Sequence, residues 1–326
     1  MTYIEEYKEG NKFSGIYLCK EKKILKTKAG KTYYSLILQD KTGIIDGKVW
    51  ELNNGIENFE TMDFIMADGM VTTFQGSRQV NINRIRKAQE GEYDPAEYIP
   101  ASKYNAEEMY QELKSFIDSI REPHLKILSE RYFVENKEFI VEFKKHSAAR
   151  SVHHGFVGGL LQHTLAVVKM CDFMAANYPI LDRDLLVTAA LFHDVGKVWE
   201  LSKFPANEYT DEGQLLGHIF LGAELIGREA AQIPGFPPVL ATELRHCILA
   251  HHGELEFGSP KRPEIAEAFA LNFADNADAK METLTEIYDK SEATTEWLGY
   301  NRFLDANLRQ SSGLVRKKNS NGEKKK

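Results

Sequence analysis

The hydrophobic period of this chain changes once, and the change separates two kinds of structure. Up to about residue 87 the apolar residues come in short β-prone runs, and from Asn105 onward they recur at three- and four-residue spacing. The runs Phe13–Cys19, Tyr33–Gln39, Ile44–Trp50, Phe64–Phe74 and Gln79–Ile85 read as strands, punctuated by the turn signals Asp40-Lys41-Thr42-Gly43 and Gln75-Gly76-Ser77. Leu52–Phe59 reads as one short helix or a loop. Met109, Leu113, Phe116, Ile117 and Ile120 then mark a helix face. Further helices are expected near 124–133, 135–149, 158–177, 182–194, 217–231, 237–251, 261–277 and 279–290, and Pro234–Pro238 must break one of them before the next.

Five strands and one insert within ninety residues suit a small Greek-key barrel of the OB type, with an SH3-like barrel as the alternative. The expected architecture is α+β and multidomain. It has an OB-like β-barrel over 1–90, a linker over 91–103, an all-α domain over 104–308 and a basic, disordered tail over 309–326. The linker stretch carries two prolines, a glycine and no apolar period.

Charge is distributed unevenly over these parts. The net charge is −7, yet residues 12–50 hold 9 Lys+Arg against 3 Asp+Glu, residues 91–308 hold 20 against 35, and residues 309–326 hold 7 against 1. Nucleic-acid binding can therefore be argued only locally. No apolar run reaches the ~18–20 residues of a membrane helix and no signal sequence opens the chain, so no membrane partner is expected. Cys19, Cys171 and Cys247 are far apart and unpaired in pattern, which fits a reducing, cytoplasmic setting. Long helices with apolar faces make a homo-oligomer an open expectation.

Eight of the ten histidines lie in the stretch from His153 to His252. His163, His193, Asp194, His218, His251, His252 and Asp275 are spread over five helical segments, each flanked by apolar residues. Ionisable groups amid buried helix surface are costly unless paired or bound to a metal, and helical bundles build metal sites from several such helices. Imidazole with carboxylate suits Mn, Co, Fe and similar ions. Seven ligands exceed one centre and suit two divalent ions that share a carboxylate, an arrangement matched to phosphodiester cleavage. Each residue alone has a plainer reading. A His-Asp pair is common by chance, His163 could be a core histidine, His251-His252 could cap a helix, and Asp278 competes with Asp275 as ligand. Lys197, one turn beyond His193-Asp194, is placed to contact a non-bridging phosphate oxygen. His154 could bind phosphate or protonate a leaving oxygen, and Arg150 is a weaker phosphate candidate.

The ordered pattern His163, His193-Asp194, Asp275 resembles the HD superfamily of helical metal-dependent phosphohydrolases. His218 and His251-His252 resemble its binuclear members. That resemblance implies that His163, His193, Asp194 and Asp275 hold one metal and His218, His251 and His252 the other, with Asp194 bridging. Gly159 stands one turn before His163 where the HD-GYP phosphodiesterases often carry glutamate, and no GYP tripeptide follows, which argues against that substrate class. With the N-terminal module, the segments HHGFVGGLLQHT and LFHDVGKVWEL look like the YhaM family of bacterial 3′–5′ exoribonucleases over residues 10 to 310. The resemblance implies 3′–5′ hydrolysis of single-stranded RNA, with single-stranded DNA as a further substrate, releasing nucleoside 5′-monophosphates. Two divalent ions, Mn foremost and Co, Fe or Mg as alternatives, are the expected cofactors.

In the N-terminal module Lys20, Lys22, Lys23, Lys26, Lys28 and Lys31 crowd an expected hairpin loop around Ala29-Gly30, beside Tyr33, Tyr34 and Trp50. OB barrels bind single strands through a basic groove with stacking aromatics, so these residues are the candidate nucleic-acid contacts. The plainer reading is a solvated lysine face over core aromatics. Two other functions fit the sequence less fully. One is a nucleotide or cyclic-dinucleotide phosphohydrolase with a regulatory barrel; the other is a single-strand-binding protein without catalysis.

Overall fold

A computed structural model describes residues 3–74, 77–94, 97–98, 102–149 and 155–323, with the side chains of 290 and 321–323 excepted. Arg150, His154 and the turn residues Gln75 and Gly76 lie outside the described residues.

Strand alternation closes the first ninety residues into a barrel. Its strands are β1 (Lys12–Lys26), β2 (Thr32–Asp40), β3 (Gly43–Val49), β4 (Phe64–Phe74) and β5 (Ser77–Lys87), in the closed order β1-β2-β3-β5-β4. A bulge between Cys19 and Glu21 lets one long β1 serve two neighbours. Residues 12–18 pair with β4, and the stretch from Leu18 to Lys26 pairs with β2. The parallel β3–β5 pairing, Asp46↔Gln79 to Lys48↔Asn81, completes the closure. This is the OB-like connectivity. Tyr17, Leu36, Leu38, Ile65, Val71, Val80 and Ile85 point inward and fill the interior. Leu52–Phe59 is a loop with a single bridge at Ile56.

Part of the expected linker packs on the barrel instead of spanning free. Tyr93 stacks on Phe64 with ring centroids 4.0 Å apart, and Gln39 donates from Nε2 to the Tyr98 carbonyl at 2.9 Å. Tyr93 and Tyr98 both pack on Phe64 at the start of β4, which explains why a stretch lacking helical period still has ordered partners.

The helical region comprises α1 (Ala106–Asp118), α2 (Pro123–Glu130), α3 (Lys137–Lys145), α4 (Gly159–Asn177), α5 (Arg183–Phe192), α6 (Lys197–Glu200), α7 (Asp211–Ala231), α8 (Pro238–Ala250) and α9 (Ala266–Lys290). Helix α5 is the centre. Asp182 caps it by accepting from the amides of Asp184 and Leu185, and every side chain from Leu185 to Phe192 is buried. Helices apolar all round belong in the middle of a bundle, and α2, α4, α8 and α9 surround this one. None of the described helices is long and apolar enough to cross a membrane.

Three expectations need correction. The separate helices 261–277 and 279–290 are one 25-residue α9, because nothing between Asn276 and Lys280 breaks a helix. The helix expected from 217 begins at Asp211 and kinks at Gly217 (φ 73°). The end of the chain is neither all-α nor without structure. Strands β6 (Trp297–Asn301) and β7 (Ala306–Arg309) form a hairpin, and α10 (Ser312–Glu323) follows. Lys318 of α10 donates to the carbonyls of Tyr288 and Ser291 at the end of α9, a tertiary anchor that composition alone does not reveal.

Candidate metal centre and single-strand interface

Helix ends position the imidazoles. His193 follows the last residue of α5 and His251 the last residue of α8, where carbonyls lack helical partners. Each ring donates from Nδ1 to the carbonyl three residues back, His193 to Ala190 at 2.8 Å and His251 to Ile248 at 2.7 Å. His252 donates from Nδ1 to the Phe257 carbonyl at 2.8 Å. His163 is held through Nδ1 by Asp278 Oδ2 at 2.6 Å, and His218 through Nδ1 by Glu200 Oε1 at 2.9 Å. A carbonyl or carboxylate on Nδ1 fixes the tautomer, so all five rings keep Nε2 available to the interior.

Two clusters result, with Asp194 between them. One ligand atom from each of His163, His193 and Asp275 lies within 4.8 Å of the others, and the same holds for His218, His251 and His252. Asp194 Oδ2 is 3.3 Å from His163 Nε2 and 3.4 Å from His193 Nε2. Its other oxygen, Oδ1, is 3.4 Å from His218 Nε2 and 3.7 Å from His251 Nε2. Asp275 Oδ1 reaches His163 Nε2 at 3.1 Å, whereas Asp278 touches the opposite nitrogen of that ring. Asp275 therefore faces the cluster, and Asp278 stands behind it as the orienting carboxylate. The sequence left open whether Asp278 binds a metal or stands behind a ligand, and Glu200 in its orienting position went unread. Glu200, charged in the otherwise apolar stretch after Lys197, was the available signal.

The donor set fits divalent ions. His163 Nε2 and His193 Nε2 lie 3.1 Å apart. Asp194 Oδ1, His218 Nε2 and His251 Nε2 are buried without a hydrogen-bond partner among the described residues. Lone pairs converging in a buried space are costly unless a cation or proton lies between them. The titration behaviour agrees. Burial disfavours charge on His163, but the hydrogen bonds its ring donates to Asp194, Asp275 and Asp278 outweigh it and hold the ring well above the usual imidazole range. Burial likewise opposes ionisation of Asp194, yet Lys197 and His193 keep its carboxyl well below the ordinary value. Burial, then the neighbouring His252, pushes His251 well below the imidazole range. Lys197 Nζ donates to Asp194 Oδ2 at 2.6 Å, so the residue expected to contact phosphate holds this carboxylate here.

Two glycines set the spacing. A Cβ on Gly196 would lie 2.1 Å from the His218 carbonyl oxygen, so α6 and α7 approach closely only because residue 196 lacks one. Gly217 adopts a left-handed conformation, and the amide of His218 then meets Glu200 Oε1 at 3.0 Å.

The candidate nucleic-acid residues divide between two faces. Lys20, Lys22, Lys23 and Lys26 belong to β1 itself, and only Lys28 and Lys31 sit at the turn. The bulge and the strand alternation send Lys22 toward the barrel end, over the Tyr34 and Phe59 rings at 5.0 and 4.4 Å. Lys22 and Tyr34 thus serve packing. On the other face, the pairs Lys23↔Ser35, Leu25↔Tyr33, Ser35↔Lys48 and Lys48↔Asn81 form a continuous outer surface. Tyr33 stacks on Trp50 with centroids 4.7 Å apart, and Trp50 donates from Nε1 to Asn81 at 3.0 Å. Trp50 remains 41% exposed, so the stacked pair presents a ring to solvent. Lys48 and Asn81 were not expected there.

Residues 160–280 match the family model described as the HD domain. Among solved structures, the chain is similar to one of a replication protein A heterotrimer bound to ssDNA. That likeness has 15% identity and a TM-score of 0.21, and covers 27% of this chain and 64% of the other. A second likeness is to the second OB-fold domain of replication protein A from Methanococcus maripaludis. It has 20% identity and a TM-score of 0.23, and covers 28% of this chain and 96% of that domain.

Proposed function

We propose that this chain is a metal-dependent phosphodiesterase that shortens single-stranded RNA, and single-stranded DNA as a second substrate, from the 3′ end. The observation that carries the reading is the placement of Asp194. Its two oxygens face two separate histidine clusters in a buried space. His163, His193, Asp194 and Asp275 would hold one divalent ion, and His218, His251 and His252 the other, with Asp194 common to both. Manganese is the first candidate, with Co, Fe and Mg as alternatives. Two such ions, when bound, acidify water and neutralise charge on the attacked phosphate.

The remaining roles fall to the protein. Lys197 holds Asp194 and lies close enough to place positive charge beside a non-bridging oxygen. Glu200 and Asp278 orient His218 and His163. The Tyr33–Trp50 pair with Lys23 and Lys48 offers a stacking platform for bases upstream of the scissile bond. His154 and Arg150 stay candidates for phosphate contact or leaving-group protonation. Digestion polarity and release of 5′-monophosphates follow from the resemblance to the YhaM family.

The test incubates a 5′-labelled single-stranded RNA with the protein and Mn²⁺, with chelator, and with the His193→Ala/Asp194→Ala variant. A ladder shortening from the 3′ end only with metal and only with the unaltered protein supports the reading. RNA left intact in every metal overturns it, and mononucleotide phosphoesters become the substrates to try.

A further inference from the structure

The hairpin that follows α9 has two chemically different faces. Its register runs Trp297↔Arg309, Gly299↔Leu308, Tyr300↔Asn307 and Asn301↔Ala306, with a bulge between Trp297 and Gly299. The extra residue resets the alternation, so Trp297 and Tyr300 share a face although three residues separate them. Their partners Arg309 and Asn307 share it too. Leu308 points the other way and is buried, and the adjoining Gln310 donates to the Glu292 carbonyl beyond α9 at 2.8 Å. Tyr288 of α9 donates from its hydroxyl to the Arg309 carbonyl at 3.1 Å. One face therefore anchors the hairpin, and the other carries Trp297 (66% exposed) and Tyr300 (59% exposed) into solvent.

Leaving a tryptophan and a tyrosine exposed side by side is unfavourable unless something covers them. The surrounding charge says what would. The Arg309 guanidinium lies over the Trp297 ring at 6.0 Å, and residues 297–320 hold Arg302, Arg309, Arg316, Lys317 and Lys318 against Asp305 alone. Arg316 and Lys317 are exposed on α10, while Lys318 is spent on anchoring. Flat rings flanked by cations match a polyanion with flat bases. From this juxtaposition we infer that the outward face of the β6–β7 hairpin is a second contact for a single-stranded polynucleotide. Bases stack on Trp297 and Tyr300, and phosphates meet Arg309 and the basic side of α10. The anchor at Tyr288 lies about 20 Å along α9 from Asp275 of the metal centre. A strand engaged at both places would thus be held apart from its reacting end. The inference rests on the proposed single-strand substrate and does not need the metal centre to be catalytic.

The test titrates the full chain into a labelled oligouridine of about 20 nucleotides, longer than a typical OB-fold site, in chelator so that nothing is cut. Trp297→Ala/Tyr300→Ala and Arg309→Gln should each weaken binding about five-fold or more, as expected for lost stacking or a lost phosphate contact. Hydrolysis of a small phosphodiester should be unchanged in both. A second readout guards against misfolding: the quenching of tryptophan emission on adding oligouridine should be larger in Trp50→Phe than in Trp50→Phe/Trp297→Phe. Unchanged affinity in the variants together with equal quenching overturns the inference, even if RNA is still degraded. Loss of self-association in Trp297→Ala/Tyr300→Ala with oligouridine affinity intact would overturn it as well, assigning the face to a second copy of the chain. Failure of hydrolysis with binding intact would count against the proposed function and leave this surface standing.

Discussion

Replacing Gly196 by alanine should damage the metal centre without touching a ligand. The new Cβ would lie 2.1 Å from the His218 carbonyl oxygen and 2.9 Å from its Cα, both backbone atoms that cannot rotate away. Relief requires α6 and α7 to separate by about 1 Å, and overpacking of this kind costs about 1–3 kcal/mol. The separation carries His218 away from Asp194 Oδ1, now 3.4 Å from its Nε2, and disturbs the Glu200 contact that orients the ring. A shift of about 1 Å in a catalytic group can cost about 100-fold in rate. Gly222→Ala is the control. It lies on α7, its Cβ would meet Ile248 and Val195 at 3.5 Å and the Gly196 amide nitrogen at 3.7 Å, all ordinary contact distances, and alanine favours the helix by about 0.5–1 kcal/mol. Thermal unfolding with Mn²⁺ calorimetry should show Gly196→Ala destabilised, with weakened uptake at the His218 cluster, and Gly222→Ala unchanged or more stable. Equal stability and equal metal uptake in the two variants would refute the steric argument.

Other consequences are open to direct measurement. Glu200→Gln should keep the fold yet weaken divalent-ion binding about 10–100-fold, read by calorimetry, because the carboxylate on His218 Nδ1 is replaced by a neutral amide. Trp50→Ala with Lys48→Ala should weaken oligouridine binding about five-fold or more in an anisotropy titration, and leave small-phosphodiester hydrolysis intact. Lys22→Ala should instead lower stability, since its ammonium covers Tyr34 and Phe59 and donates to the Phe59 carbonyl; chemical denaturation reads the loss. Burial holds His146 below the usual imidazole range, so the unfolded chain binds the extra proton. Its contribution is complete above about pH 6.5 and is lost as pH falls below that value, by at most about 1.4 kcal/mol per unit. Denaturation from pH 7 to 5 should show a shallower fall in His146→Leu than in the unaltered chain.

What the sequence disclosed follows from how far each signal reaches. Helical period located α4, α5 and α8 because their apolar faces are long, and the joint order of His163, His193-Asp194, His218, His251-His252 and Asp275 brought together residues that also meet in space. Period says nothing about which side of a ring a carboxylate meets, so Asp275 and Asp278 separated only once their distances to His163 were known. The kink at Gly217 was hidden because glycine is tolerated within helical patterns. One bulge beside Lys20 redirected alternate lysines, which dissolved the single basic patch into two faces. A second bulge, between Trp297 and Gly299, masked a hairpin whose alternation is broken by the residue that makes its outer face. Register depends on such single residues, and a linear pattern does not record them.

The proposed chemistry stands on two divalent ions sharing Asp194. Counting metal bound per chain after equilibration with Mn²⁺, by elemental analysis alongside Asp194→Ala, tests it most directly. Two ions are expected in the unaltered chain, and loss of both in the variant. One ion in the unaltered chain, or two retained without Asp194, would contradict it.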